Sequence, residues 1–215
     1  MLTRARAAVL VVAALSLAAC SNVHPGSAAV VGDESISMRT LDDTAEAYCA
    51  LTADAARQQG VETVDNSKVR RQAIVGLVSV IVARDIAESE GLEIDPSSYE
   101  LTADQRDQIA ESFPASKVDE LEKAIEESQE VAAIAIALGS KLTGEPATPE
   151  TSTQLADVGQ DAILTSFRSK DVKFAPRFGL DPGAEARADT GSISVTPVDL
   201  EAPTADDLPA ALRCS

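Results

Sequence analysis

Aromatic residues are scarce in this 215-residue chain, and their scarcity restricts how its interior is built. The sequence has no Trp, two Tyr and four Phe. Since a protein interior is packed as densely as an organic crystal, the core must be assembled mainly from Ala, Val, Leu and Ile. The hydrophobic fraction of 45% is nevertheless ordinary, which excludes wholesale disorder.

Basic residues and histidine are also in short supply. The chain has 18 basic and 35 acidic residues, a net charge of −17, and a single histidine, His24. Such an acidic surface repels phosphate backbones and anionic lipid headgroups, so we expect no nucleic-acid partner. With one histidine and no loop of alternating oxygen ligands around a glycine, we predict no metal site, and nothing indicates another cofactor.

The common catalytic and nucleotide-binding motifs are absent from the sequence. It contains no G-x-S-x-G, S-x-x-K, C-x-x-C, H-E-x-x-H or P-loop pattern. Adjacent acidic pairs occur at 42–43, 126–127 and 206–207. Because neighbouring residues on a helix point apart, such pairs are typical of a solvated face rather than of acid–base chemistry. We therefore predict that the protein is not an enzyme.

The N-terminal region is typical of an export signal. Two arginines precede an apolar run that is too short to span a bilayer. The run ends in Leu17-Ala18-Ala19-Cys20, which resembles the lipobox of bacterial lipoproteins. We predict cleavage before Cys20, a two-chain lipid on its thiol, and a lipid-anchored location on the extracytoplasmic face of the cell membrane. The alternative is an ordinary cleaved signal whose cysteine lies near the cut by chance.

Composition divides the chain into four parts. Residues 1–19 form the predicted signal, and 20–27, which are polar and turn-rich, form a lipidated tether. Residues 28–180 are predicted to form one helical domain. Residues 181–215 are predicted to form a Pro-rich C-terminal segment with one strand, docked on that domain.

The cysteine count predicts one disulfide. If Cys20 carries lipid, Cys49 and Cys214 remain, in a compartment that permits disulfides. A bond between them would close a very long loop and hold the Pro-rich tail against the domain. The alternative is two unpaired thiols.

The body of the chain is predicted to be mainly α-helical. Apolar periodicity and breaks indicate about five helices, near 39–59, 66–90, 102–112, 116–143 and 149–167. The predicted caps at their starts are Asn66 or Ser67, Thr102 or Asp104, Ser116 and Thr148. Opposite an acidic face, the fourth helix carries a stripe formed by Val118, Leu121, Ile125, Ser128, Ala132 and Ala135.

The second of these helices is predicted to be the buried centre of the fold. Residues 73–83 are apolar nearly all round, but Arg71 and Arg84 bound them, and eleven residues cover only about half a bilayer. A small antiparallel sheet should accompany the helices. Its hairpin is predicted at 28–37, turning at Gly-Asp, and the alternating run at 192–196 is predicted to add a third strand.

Two stretches resemble a known chaperone family. Ala29-Val30-Val31-Gly32-Asp33-Glu34-Ser35-Ile36-Ser37 resembles the opening hairpin of the SurA and PrsA extracytoplasmic chaperones. The central stretch 71–83, followed by Ile86-Ala87-Glu88-Ser89-Glu90-Gly91-Leu92-Glu93-Ile94, is similar to their central helix and its exit. The order of elements from 28 to about 172 also fits that family.

This resemblance implies a helical cradle that binds unfolded or partly folded exported proteins. Many members insert a parvulin-type prolyl isomerase module before the last helix. Here the linker at 144–148 takes that place and is far too short for such a module, and the isomerase residues have no counterparts. The resemblance therefore implies holdase-type binding without isomerase activity.

Phe174 and Phe178 form the densest aromatic patch. They could be an exposed contact for a client or partner. We favour the alternative, in which both rings bury against the helices while Arg177 pairs with an acid.

Three other functions compete with a holdase: an adaptor lipoprotein that docks one envelope partner, a small-ligand receptor and an enzyme. An exposed apolar groove between helices would support the holdase, whereas a sealed helical body would count against it. A receptor would need a deep pocket with convergent polar groups, and an enzyme would need clustered carboxylates in a cleft.

Overall fold

A computed structural model of the protein describes residues 26–185 and 208–214. The predicted signal, the predicted lipidation site Cys20 and the predicted strand at 192–196 lie outside these residues.

The described part of the chain has five α-helices and five short strands. The helices are α1 (Met38–Gln58), α2 (Asn66–Glu90), α3 (Ala103–Ser112), α4 (Ala115–Thr143) and α5 (Ser152–Ser169). The strands are β1 (Ser27–Val31), β2 (Glu34–Ser37), β3 (Val64–Asp65), β4 (Val172–Phe174) and β5 (Arg213–Cys214). The prediction of a mainly helical fold with a small antiparallel sheet is confirmed.

The main sheet is built around the predicted hairpin. Its strand order is β2-β1-β4, and both pairs are antiparallel. The chain turns at Gly32, whose φ of 58° is accessible to glycine without a steric penalty. The third strand of the described sheet is β4, in which Val172 and Phe174 alternate with Lys173 and bury their side chains on one face of the sheet. The run at 192–196 that was predicted to add a strand is outside the described residues.

Helix α2 lies at the centre of the fold, as predicted. It packs against α1, α4, α5 and β1. Ile74, Val78 and Val82 are fully buried along it. Within the described residues, no helix combines the length and the apolar composition that crossing a membrane requires.

One predicted helix cap is confirmed, and another is wrong by one residue. Thr102 and Gln105 form a reciprocal capping box at the start of α3. Helix α2 is capped by Asp65, one residue before the predicted cap, because its carboxylate accepts a hydrogen bond from the Ser67 backbone N–H at 2.8 Å. The same helix ends at Glu90, and its C-cap Gly91 has a left-handed conformation with a φ of 62°.

Two other predicted caps are wrong. Helix α4 already begins at Ala115, after Pro114, and its N-terminus has no side-chain cap, so Ser116 lies inside the first turn. Helix α5 begins at Ser152. Thr148 instead forms a separate turn, in which its backbone N–H donates to the Thr151 hydroxyl at 2.9 Å.

Helices α4 and α5 form a closely packed antiparallel pair. Gly139 lies against the backbone of Leu155, and Gly159 lies against the backbone of Ala135. A Cβ atom on either glycine would overlap the facing carbonyl group. The two backbones can therefore approach this closely only because both positions are glycine.

Strand β5, near the C-terminus, lies against α1 and α2. Strand β5 pairs with β3, and Cys214 packs with Ala53 and Val69. Cys49 and Cys214 are at disulfide distance, with their Cα atoms 5.3 Å apart and a sequence separation of 165. The structure thus brings together the two cysteines that were predicted to pair.

Candidate functional site

An open groove runs between three helices and is the best candidate for a binding site. Helices α2, α4 and α5 form its walls, and Tyr48 of α1 reaches into it. Its volume is about 290 Å³. The residues that line it are Tyr48, Gly76, Ser79, Val80, Ser128, Val131, Ala132, Ala135, Ala156, Gln160, Ile163 and Leu164.

Gly76 allows Tyr48 to lie at the bottom of this groove. A Cβ atom at position 76 would be 2.7 Å from the Tyr48 hydroxyl oxygen, closer than non-bonded atoms can approach. A glycine inside a helix costs roughly 0.5–1 kcal/mol of stability relative to alanine. That cost is offset here by the space that the glycine leaves for the phenol ring.

A second cavity extends the groove along α4. It has a volume of about 280 Å³ and shares Tyr48 and Ser128 with the first cavity. Its other lining residues are Leu51, Thr52, Gln72, Ala124, Ile125 and Gln129. Because the two cavities meet at shared residues, they form one elongated groove, which we call the α4 groove.

Apolar atoms supply somewhat more than half of the surface of the α4 groove, and the groove is open to solvent. Ser128 and Ala132 are exposed. Leu164, at the edge, is one of the few large hydrophobic side chains that is substantially exposed, at 43%. The small side chains on its walls thus leave space in the groove, in which side chains of a bound polypeptide could be buried.

The charges around the α4 groove are mostly negative. The four segments that line it, 48–52, 72–80, 124–135 and 156–164, contain five acidic residues and neither Lys nor Arg. These acids are Glu126, Glu127, Glu130, Asp157 and Asp161.

One of these acids, Glu127, is half-buried beside the groove. Burial raises the pKa of its carboxyl group, although Lys123 and Arg84 oppose this shift. The pKa of Tyr48 is also raised, first because the phenol is buried and second because Glu127 is negatively charged. Tyr48 and Glu127 are therefore electrostatically coupled at the bottom of the groove.

The neighbouring acid, Glu126, has a different role. It accepts hydrogen bonds from the Leu101 backbone N–H at 3.0 Å and from the Arg106 guanidinium at 2.6 Å. These contacts hold the start of α3 against α4. The adjacent pair Glu126 and Glu127 thus points in different directions, as was expected for neighbours on a helix.

Two further clefts are less suited to an apolar ligand. The larger, of about 440 Å³, lies at the end of the sheet, and charged side chains such as Asp33, Glu88 and Asp171 dominate its walls. The other, of about 340 Å³, lies beside the disulfide. Ion pairs line it, including Lys117 with Glu46 at 3.1 Å.

Phe174 and Phe178, the aromatic pair considered as a client contact, are both buried in the core. They are only 8% and 7% exposed, and the Phe174 ring stacks on Phe167 with their centroids 6.4 Å apart. The preferred prediction, in which both rings are buried, is confirmed. The alternative of an exposed contact is wrong, because both rings belong to the main hydrophobic core. Arg177 forms no ion pair with any described residue, contrary to expectation.

The described residues contain no group of three or more His, Cys, Asp or Glu side chains placed to hold a metal ion. No protein-family model, no curated protein and no solved structure matches the chain. The resemblance to SurA and PrsA therefore rests on the hairpin and the central helix of the sequence alone.

Sequence reasoning found one wall of the α4 groove but not the groove. Ile125, Ser128, Ala132 and Ala135 belong to the stripe predicted on the fourth helix, and the structure places them along the groove. The sign that could have revealed it is the small size of the last three side chains, which fill little of the space beside a helix. The contribution of Gln160 and Leu164 from α5 could not be seen without the tertiary structure.

Proposed function

We propose that this protein is a membrane-anchored extracytoplasmic lipoprotein, which holds unfolded segments of exported proteins in the α4 groove and has no isomerase activity. The observation that carries the proposal is the groove itself. A groove that is open to solvent and carries apolar side chains on its walls is expected of a holdase, whereas a helical domain without such a groove would not bind unfolded chains.

The shape of the groove suits short polypeptide segments. Ligand pockets for small molecules usually occupy about 300–1,000 Å³ and converge polar groups on one ligand. The two parts of the α4 groove, of about 290 and 280 Å³, together fall within this range, so its elongated shape rather than its volume favours a polypeptide. Elongated and lined by small side chains, the groove fits a few aliphatic side chains along an extended or helical segment.

The walls of the groove support a preformed site. Helices α4 and α5 are held together by the glycine contacts at 139 and 159, and α2 is buried at the centre of the fold. A site on rigid elements loses little conformational entropy when a ligand binds. Affinity for weakly hydrophobic segments is therefore achievable without a large contact area.

The membrane anchor is proposed from the first twenty residues of the sequence. A lipid on Cys20 would keep the domain close to the site where exported chains emerge. Cys20→Ser should move the protein from the membrane fraction to the soluble fraction, and it should abolish incorporation of labelled palmitate. Retention in the membrane fraction would contradict the anchor without affecting the proposal for the groove.

Aggregation of unfolded proteins is the direct test of the holdase. The mature chain, residues 20–215 with Cys20→Ser and an oxidised disulfide, is added to several unrelated unfolded exported proteins, and light scattering is recorded. We expect suppression at near-stoichiometric ratios, absent with an equally acidic unrelated protein. Ser128→Trp, which places an indole in the middle of the groove, should abolish suppression.

The matched control is Ser116→Trp, which makes the same change at an exposed position in the first turn of α4, outside the groove. It should suppress aggregation as well as the parent protein does. Equal loss in both variants would show that the groove is not responsible. No suppression of any client by the parent protein would favour the alternative, an adaptor that docks one specific envelope partner.

A further inference from the structure

We propose that the α4 groove selects aliphatic segments that are flanked by Lys or Arg. This inference rests on the proposed holdase function and specifies its substrate class. It follows from the excess of acidic over basic residues beside the α4 groove.

The acids at the groove differ in whether a cation already neutralises them. Glu126 pairs with Arg106 at 2.6 Å, and Glu130 pairs with Arg84 at 2.5 Å. Within the described residues, Glu127, Asp157 and Asp161 form no ion pair. Lys123 and Arg84 partly offset, from a distance, the rise that burial causes in the pKa of Glu127, but no ion pair in the described part of the chain neutralises these three carboxylates, so negative charge remains in excess beside the groove.

None of the three lines the two cavities themselves; they lie beside lining residues on α4 and α5. Asp157 lies one turn before Gln160, and Asp161 one turn before Leu164, both on the α5 wall. Glu127 precedes Ser128 on the α4 wall and is half-buried. A partly buried carboxylate acts through a lower dielectric than water provides, so its attraction for a cation is stronger than that of an exposed acid.

Lys and Arg suit such a site for a second reason. Their methylene stems can lie along exposed apolar surface such as Leu164 while the charged head remains at the acidic edge. An aliphatic segment with basic flanks thus matches both features of the groove, whereas acidic flanks would be repelled by three unpaired carboxylates.

Three peptides with the same Leu-Val-Leu-Val centre and Lys, Ser or Glu flanks test the proposal. Binding of the fluorescently labelled peptides to the mature Cys20→Ser chain is measured by anisotropy at about 0.01 M salt, where the Debye length is roughly 30 Å. We expect the Lys peptide to bind about tenfold more tightly than the Ser peptide and the Glu peptide to bind most weakly. At about 1 M salt the Lys and Ser peptides should bind equally.

Charge-removing variants locate the effect. Glu127→Gln, Asp157→Asn and Asp161→Asn together should abolish the preference for Lys while leaving the affinity of the Ser peptide within about twofold. The control combines Glu62→Gln, Glu93→Gln and Glu111→Gln, three exposed acids outside the groove that change the net charge equally. This control should keep most of the preference.

The possible results separate this inference from the function on which it rests. Equal binding of all three peptides, blocked by Ser128→Trp, would overturn the charge selection and leave the holdase standing. No binding of any peptide would overturn both. Equal loss of preference in the two triple variants would show that net charge, not the groove, selects the peptides. Self-association of the protein through the groove, undisturbed by the Lys peptide, would also overturn the proposal.

Discussion

Small side chains have opposite effects at two places along the same face of α4. At its contact with α5, Gly139 and Gly159 bring the two backbones together and leave no space between them. Nearer the start of α4, Ser128 and Ala132 line the α4 groove with Ala156 of α5 and leave about 290 Å³ open. The same kind of residue closes one interface and opens the other.

The difference lies in what stands between the helices. At the closed contact nothing separates α4 from α5, so small residues allow the helices to approach until their backbones touch. At the groove, α2 and the inserted ring of Tyr48 hold the walls apart. The groove is thus a consequence of helix placement, and residue size alone does not predict it.

The closed contact should be the most sensitive to substitution. Gly159→Ala would place a Cβ atom against the Ala135 carbonyl group and force the two helices apart. We expect a loss of about 3 kcal/mol or more in the free energy of unfolding, measured with denaturant. Ala132→Leu, which adds more atoms on the open side, should change stability by less than about 0.5 kcal/mol. Similar losses of stability in both variants would contradict the contrast between the α4–α5 contact and the α4 groove.

Gly76 also makes room for a neighbour, but this neighbour is the side chain of Tyr48 rather than the backbone of another helix. Gly76→Ala should cost about 1–2 kcal/mol, since the new methyl group would collide with the Tyr48 hydroxyl. In a Tyr48→Phe background the same substitution should be neutral or stabilising, because alanine is the better helix former. A double-mutant cycle by denaturant unfolding measures this coupling, and additive effects would show that the two residues do not meet.

Filling the groove should separate function from stability. We expect Ser128→Trp to abolish client binding while changing the free energy of unfolding by less than about 0.5 kcal/mol, because Ser128 is exposed. Denaturant unfolding and light scattering on the same preparation check both statements. A large loss of stability would show that α4 is packed as tightly at the groove as at its contact with α5.

The smallest expected effect concerns Glu127. Its pKa is raised in the folded state because burial disfavours the charged carboxylate. The ionised group therefore destabilises the fold above that raised pKa, and the penalty disappears as the pH falls below the value of the unfolded chain. Groups facing Glu127 include Arg84, Lys123, Glu120, Glu130 and Tyr48.

Glu127→Gln should consequently be slightly more stable than the parent protein at pH 7. At a pH below 4 the difference should vanish, since both side chains are then neutral. Denaturant unfolding at the two pH values tests this. A variant that is less stable at pH 7 would show that the attraction of Arg84 and Lys123 outweighs desolvation.

Local signals in the sequence predicted much of the fold. The hairpin at Gly32, the helix end at Gly91 and the capping box at Thr102 each depend on residues within a few positions of one another. Such signals act through the backbone conformation of a single turn and need no tertiary partner. The starts of α4 and α5 were missed where several Ser, Thr and Pro residues compete within a few positions.

The sequence by itself determined the helical class and the buried central helix, and it predicted the pairing of Cys49 with Cys214 on the premise that Cys20 carries lipid, since periodicity and cysteine number are properties of the chain alone. Only the tertiary structure decided that β4 completes the sheet, that Gly139 and Gly159 lie at backbone contacts, and that small residues on α4 and α5 enclose a groove. Those features depend on which distant segments meet, and a small side chain in sequence does not reveal whether its neighbour will be a backbone, a phenol ring or open solvent.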